Sequence, residues 1–253
     1  MLMFNLVLLE LKRVGLITLG LVAGLTVAAL VWWSAPAWAD DVRVDANIAT
    51  GLDVSTSITS DETAIQLQGL VIAMQSPEIL AAIQSGRHRR IGFAVYLWAE
   101  GDCPMVVDWR IIASAEDAVA MAADLSANAK AARQAKTGSL TGLSRGMNCG
   151  LTVLQSSPFV ADRDALNIVS DGIENVRSER DVRATREMLM AAGVGVNAML
   201  LPNGQDGVEK VQPYYQANVV TGPMAFVLIV DKADRLRDAW RRKFIGELAM
   251  VMA

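Results

Sequence analysis

The chain has 253 residues with 23 basic against 27 acidic side chains, a net charge of −4, so the basic face that a nucleic-acid binder presents is not expected. No low-complexity run, Pro-rich linker or internal repeat interrupts it, which argues against an array or a string of tethered modules.

Lys12 and Arg13 precede an uncharged run from Val14 to Trp33 that leads into Ala35-Pro-Ala-Trp-Ala39. Small residues at Ala37 and Ala39 form an A-x-A cleavage site, so residues 1–39 are expected to be a secretory signal peptide and the mature chain to begin at Asp40. The alternative is an uncleaved anchor, because roughly 20 apolar residues suffice to cross a bilayer. Under either reading the remainder is exported, to the periplasm or beyond, or held on the inner membrane facing the periplasm. Residues 40–253 then make a single α/β domain of roughly 210 residues with a sizeable core.

The mature segment from Asn47 reads as a strand ending in Asp53-Val-Ser55-Thr-Ser57. At period two, Asp53, Ser55 and Ser57 share one face and converge where the strand gives way to a loop. Hydroxyl and carboxylate oxygens suit Mg²⁺, whereas the His and Cys donors favoured by zinc are missing from this stretch. Taken alone, the triplet also fits a polar turn after a strand.

Farther along, Ser60 is expected to cap a helix carrying Ala64, Leu67, Leu70, Val71 and Met74, and Ser76-Pro77 to start a second one. Ile91–Trp98 and Met105–Ile112 read as strands joined by a short turn, hence an antiparallel hairpin. Ser114-Ala-Glu-Asp117 opens a helix to about Ala127, followed by a polar stretch to Leu140. Thr141 introduces another helix, and Ala165–Ser170 is a buried strand with Asp171-Gly172 at its carboxyl end. A helix over 180–192, a strand over 194–201, a short helix to about Asn218, a strand over 225–230 and a final helix over 234–249 complete the chain. Strands alternating with helices make the fold α/β with a mainly parallel sheet, whose ligands sit beyond the carboxyl ends of the strands. Asp53 and Asp171 both stand there, which favours the metal reading over the polar turn.

Cys103 and Cys149 are the only cysteines. Export permits their oxidation, but one lies in a turn and the other in a helix, so their pairing stays open. The single histidine, His88, sits among Arg87, Arg89 and Arg90 and is expected in a solvated loop. Arg241, Arg242 and Lys243 are expected on the polar face of the last helix, the methionines between 188 and 199 in the core, and Asn203-Gly204 in a turn whose loop, up to Tyr215, lies away from the sheet interior.

Asp53-Val-Ser-Thr-Ser57, a Thr opening a helix, and Val169-Ser-Asp171-Gly172 together resemble the von Willebrand factor A domain and its metal-ion-dependent adhesion site. Val107-Asp-Trp109, Tyr214-Tyr215, Asn218-Val-Val-Thr-Gly-Pro223 and Trp240-Arg-Arg-Lys-Phe are similar to a bacterial family of exported A-domain-like proteins without assigned function. The resemblance implies a Rossmann-like doubly wound sheet, mainly parallel with one antiparallel edge strand and helices on both faces. It implies Mg²⁺, with Mn²⁺ or Ca²⁺ as substitutes, held directly by Ser55 and Ser57 and through waters by Asp53 and Asp171. The family Thr falls on Thr141, because Leu143, Gly146 and Met147 reproduce the helix register that follows it; Thr137 is the alternative. The partner it implies is a protein that offers an Asp or Glu carboxylate to the metal. Such a module is not an enzyme. The competing reading, a metal-dependent hydrolase or phosphoryl-transfer enzyme, would have Glu174 as its extra acid, but no Ser–His–Asp set or phosphate-cradling loop accompanies it.

Overall fold

The computed structural model describes residues 41–133, 137–201, 207–223, 225–230 and 235–251. The expected signal segment and the Asn203-Gly204 turn lie outside the described residues. In chain order the first half comprises β1 (Arg43–Val44), β2 (Asn47–Asp53), α1 (Ser60–Met74), α2 (Pro77–Ser85), β3 (Ile91–Trp98), β4 (Met105–Ile112) and α3 (Ala115–Arg133). The second half comprises α4 (Leu143–Gln155), β5 (Val160–Ala161), β6 (Asp164–Ser170), α5 (Glu179–Ala191), β7 (Val194–Leu200), α6 (Val208–Asn218), β8 (Val227–Ile229) and α7 (Leu236–Val251).

Six strands form one sheet in the order β4-β3-β2-β6-β7-β8, and β1 pairs with β5 in a separate two-stranded ribbon. Every pairing in the large sheet is parallel except β3 with β4, the expected antiparallel edge. The chain leaves β2 towards β3 on one side and later places β6 on the other, so the order reverses between β2 and β6. That reversal opens a crevice at their carboxyl ends, the usual ligand position in a doubly wound sheet.

Strand periodicity divides the core in two. Phe93, Val95 and Leu97 face one side with Leu67, Leu70, Met74, Met121, Trp240 and Phe244, while Ala94, Tyr96 and Trp98 face the other with Leu143, Met147, Val182 and Tyr215. Helices α1, α2, α3 and α7 therefore cover one face and α4, α5 and α6 the opposite one. Helix α4 approaches the sheet closely because Gly146 and Gly150 lack side chains. A Cβ on Gly146 would stand 2.5 Å from the Trp98 ring, and one on Gly150 2.4 Å from Leu166. The Tyr96 hydroxyl uses this proximity to donate to the Gly146 carbonyl at 2.8 Å.

Helix starts follow local chemistry. Thr59, one residue before the expected cap, exchanges hydrogen bonds with Glu62 in a capping box. Ser76 caps α2 with Pro77 at its first turn. Helix α3 runs six residues past the expected end, since Ala-Asn-Ala-Lys-Ala-Ala-Arg is made largely of strong helix formers. Cys103 and Cys149 form a disulfide with their Cα atoms 6.4 Å apart, tying the β3–β4 turn to α4. Closing a loop of 46 residues, it stabilises the fold by about 4 kcal/mol on loop-entropy grounds.

Three expectations fail here. Met188 and Met190 are 53% and 54% exposed, because α5 turns only Val182, Thr185 and Leu189 inward; Met199 on β7 is buried. Tyr215 is fully buried against the sheet. Lys243 is not on the polar face of α7 but buried beneath it, 2.5 Å from Glu247 on the next turn. In-register Thr50, Asn167 and Asn197 on β2, β6 and β7 form a polar row that receives this pair. Asn197 and Asn167 donate to the Glu247 carboxylate at 2.8 and 3.2 Å, and burial pulls the Lys243 ammonium below its ordinary pKa.

Candidate metal centre

Three loops meet at the crevice between β2 and β6. After Asp53 the chain keeps one more ladder bond, Val54 N–H to the Trp98 carbonyl, then folds into a turn closed by Ile58 N–H to the Ser55 carbonyl. The Ser55 N–H donates to Asp53 Oδ1 at 2.8 Å, which curls the loop over the aspartate. Ser170, the last residue of β6, donates its hydroxyl to Asp53 Oδ2 at 2.6 Å, and Asp171 follows immediately. Thr141 arrives from the loop before α4. Asn175 holds it at both ends, accepting from the Thr141 N–H at 2.8 Å and donating its own N–H to the Thr141 carbonyl at 3.1 Å.

The outcome is a continuous chain of side-chain oxygens. Thr141 Oγ1 donates to Ser55 Oγ at 3.3 Å, Ser55 Oγ lies 3.2 Å from Ser57 Oγ, and Ser57 donates to Asp171 Oδ1 at 3.0 Å. Asp53 stands behind them. The structure thus brings together all five residues expected from the sequence. Thr137 is buried too, but its carbonyl accepts from the Gly101 N–H, outside this chain of oxygens. Ser57 is exposed and Ser55, Thr141 and Asp171 are buried, so the group opens to solvent on one side.

This donor set fits a hard cation. A six-coordinate Mg²⁺ with oxygens at about 2.1 Å has edges of about 3.0 Å between neighbouring oxygens, close to the hydroxyl and carboxylate spacings seen here. Electrostatics point the same way. Asp53 is fully buried, and desolvation pushes its carboxyl up to about 7 against the hydrogen bonds from Ser170 and Ser55, with the negative charge of Asp171 adding to the rise. A nearby positive charge would relieve that cost.

Several residues support the site in ways their sequence context does not reveal. Glu174, expected as a spare acid, is committed to backbone: one oxygen accepts the Ser144 N–H at the start of α4, the other the Val176 and Arg177 N–H groups. It fixes the Thr141 and Asp171 loops together and is not placed as a base. Asn175 clamps Thr141, and the buried Tyr215 donates to the Gly172 carbonyl at 3.0 Å. The acid at 174 and the amide at 175 next to Asp171 were visible in the sequence; their backbone partners were not.

A second group of donors lies at the opposite end of the sheet. Asp45, His88 and Asp162 precede β2, β3 and β6, and their ligand atoms all lie within 4.8 Å of one another. His88 is not in a freely solvated loop: its side chain is 15% exposed.

Solved structures with the same architecture include the pilus adhesin SpaC from Lactobacillus rhamnosus GG, 12% identical, covering 84% of this chain and 31% of that one with a TM-score of 0.56. Another is proximal thread matrix protein 1 from the mussel byssus with a zinc-occupied MIDAS motif, 17% identical, covering 83% and 49% with a TM-score of 0.55. A third is the vWF domain of the type V pili tip protein Mfa5 from Porphyromonas gingivalis, 9% identical, covering 85% and 98% with a TM-score of 0.54. The chain spans about a third of the adhesin and about half of the mussel protein. At these identities the likeness establishes the von Willebrand factor A fold. No curated protein matches the chain. Among the described residues no helix is long and apolar enough to cross a membrane. A family model described as a protein of unknown function, DUF1194, matches residues 43–252, and the chain belongs to that family.

Proposed function

We propose that residues 40–253 form an exported, Mg²⁺-dependent protein-interaction module that docks a carboxylate of its partner at Asp53, Ser55, Ser57, Thr141 and Asp171. The observation that carries the reading is the unbroken run of Thr141, Ser55, Ser57 and Asp171 oxygens at the crevice where strand order reverses. Ser55, Ser57 and Thr141 are neutral donors, so a bound dication would keep most of its charge. When bound, the ion supplies an electrophilic position that an incoming carboxylate can occupy. The amino termini of α1 and α4 also lie at this end, and their helix dipoles favour an anion. Export rests on the Lys12-Arg13 pair, the apolar run and the Ala37-Trp-Ala39 site.

An enzyme is the weaker reading. Glu174 is occupied by three backbone N–H groups and His88 precedes the amino end of β3, so neither serves as a base beside this crevice. The adhesin and pilus-tip proteins that share the fold make a protein partner the natural expectation.

Calorimetry with Mg²⁺ and Mn²⁺ tests the site: one ion per chain for the wild type and none for Asp53→Ala. Pull-down from the cell envelope with Mg²⁺, and again with chelator, tests the docking. A partner captured equally well by Asp171→Ala protein in chelator would remove the metal from the interaction. Metal-dependent phosphoester turnover by the wild type alone would establish the enzyme instead. Amino-terminal sequencing should find Asp40 first, and full-length protein confined to the membrane fraction would establish the anchored form.

A further inference from the structure

We propose that Asp45, His88 and Asp162 constitute a second metal site, of the zinc type, at the amino end of the sheet. The three residues come from separate segments that the fold sets side by side, since β3, β2 and β6 are neighbours in the sheet. His88 Nε2 lies 3.1 Å from Asp162 Oδ2, close to the edge of about 3.3 Å that a tetrahedral zinc with ligands at 2.0–2.1 Å requires. The imidazole separates this group from an ordinary cluster of surface acids. A neutral ring nitrogen beside two carboxylates is poor company for Mg²⁺ or Ca²⁺, which take oxygen, but it is a common zinc set that leaves a fourth position for water.

The surroundings hold the donors in place. Asp45 is 3% exposed, and each of its oxygens accepts one backbone N–H: Oδ1 from His88 at 2.7 Å and Oδ2 from Arg90 at 3.2 Å. A carboxylate has about four acceptor sites, so those bonds orient the group and leave lone pairs for an ion. Gly86 makes room, because a Cβ there would stand 2.3 Å from Asp45 Oδ2. His88 is thus fixed through its own backbone to the residue whose carboxylate it would share. Asp162, with 43% of its side chain exposed, is the adaptable member that can close the remaining gap around the ion.

The competing reading is a plain ion pair between protonated His88 and Asp162. The two differ in what zinc does to the ring, and His88 is the chain's single histidine, so every imidazole resonance belongs to it. Because zinc occupies the MIDAS motif of the mussel protein, the experiment starts from Asp53→Ala protein in excess Mg²⁺, which takes the crevice out of play. Zinc titration followed by ¹⁵N NMR should move the His88 ring nitrogens at one equivalent, with Nε2 showing the larger shift. His88→Gln should abolish that zinc binding, and Asp162→Asn should weaken it at least about tenfold, with circular dichroism unchanged in both. An imidazole signal that ignores excess zinc, or equal zinc affinity before and after His88→Gln, overturns the proposal. Loss of Mg²⁺ binding in Asp53→Ala alone bears on the crevice, so the two readings fail separately.

Discussion

The two ends of the sheet gather potential cation donors of different chemistry. At the carboxyl end, Ser55, Ser57 and Thr141 contribute hydroxyls, and two aspartates complete the set. At the amino end, two carboxylates face an imidazole inside a loop of arginines at 87, 89 and 90. Strand direction explains part of the contrast. Helices of a parallel α/β fold begin at the carboxyl end, where their N–H groups favour anions, so a cation there needs a closely built oxygen cage and in return becomes a magnet for a carboxylate. At the amino end the donors differ, although α3, which follows the antiparallel β4, starts there. Backbone N–H groups at that end go to Asp45, and the arginines balance a site richer in charge.

The largest effect follows from this separation. Asp45 and Asp53 are eight residues apart on an extended segment, on the order of 25 Å, so substitutions at the two ends should add without coupling. Asp53→Ala should abolish Mg²⁺ binding and leave the zinc response of His88 intact; His88→Gln should do the opposite. Paired calorimetric titrations check it, and a zinc affinity that changes severalfold in Asp53→Ala would show that the ends communicate.

Next in size is the polar row between them. Glu247→Gln removes the partner of a buried ammonium and should cost about 3–5 kcal/mol in denaturant unfolding, whereas replacing both partners, Lys243→Met with Glu247→Leu, should cost much less. Equal losses would mean that Asn167 and Asn197, and not the ion pair, carry the stability of this region.

These three regions were unequally legible in the sequence. Asp53, Ser55, Ser57 and Asp171 were readable because the first three sit at period two and Asp171 follows a largely apolar strand, both local signals; Thr141 came from the resemblance to A domains. The parallel sheet and its antiparallel edge followed from strand lengths and the short Gly101–Pro104 turn. The amino-end group was not readable, since Asp45, His88 and Asp162 lie 43 and 74 residues apart and nothing local marks strand order. His88 among arginines looked like a solvated loop for the same reason. Lys243 was misread because helix periodicity places a charge outward by default. The polar residues Thr50, Asn167 and Asn197 in otherwise apolar strands were the available warning, but their common register depends on sheet order. The disulfide likewise required the packing of α4 on β3, which Gly146 and Gly150 permit.

A smaller effect distinguishes the metal-free crevice from the loaded one. The Asp53 carboxyl is raised to about 7 from 3.8, so between those values the folded, metal-free protein keeps a proton that the unfolded chain has shed. Stability from this group is fully present below the ordinary value and is lost as pH rises through 7. In chelator, unfolding free energy should therefore fall from pH 5 to pH 7.5 more steeply for the wild type than for Asp53→Asn, which cannot titrate. Mg²⁺ stabilises the carboxylate and should flatten the difference. Identical slopes for the two proteins in chelator would place the Asp53 proton elsewhere.

The smallest expected effect decides which threonine belongs to the crevice. Thr141 Oγ1 bonds Ser55, and its backbone is clamped on both sides by Asn175, so its hydroxyl is already delivered to the other oxygens. Thr141→Ala removes one neutral donor from a five-residue set and should weaken Mg²⁺ by about tenfold, roughly 1.4 kcal/mol, with the fold preserved because the Asn175 clamp uses only backbone atoms of residue 141. Thr137 offers its carbonyl to Gly101, a bond that Thr137→Ala keeps, so that variant should bind Mg²⁺ within about twofold of the wild type. Thr141→Ser, which restores the hydroxyl, should recover most of the affinity. The zinc response of His88 should be the same in all three, since no bond in this network reaches the amino end. A larger loss from Thr137→Ala than from Thr141→Ala would move the fifth ligand four residues upstream and break the oxygen chain on which the docking proposal stands.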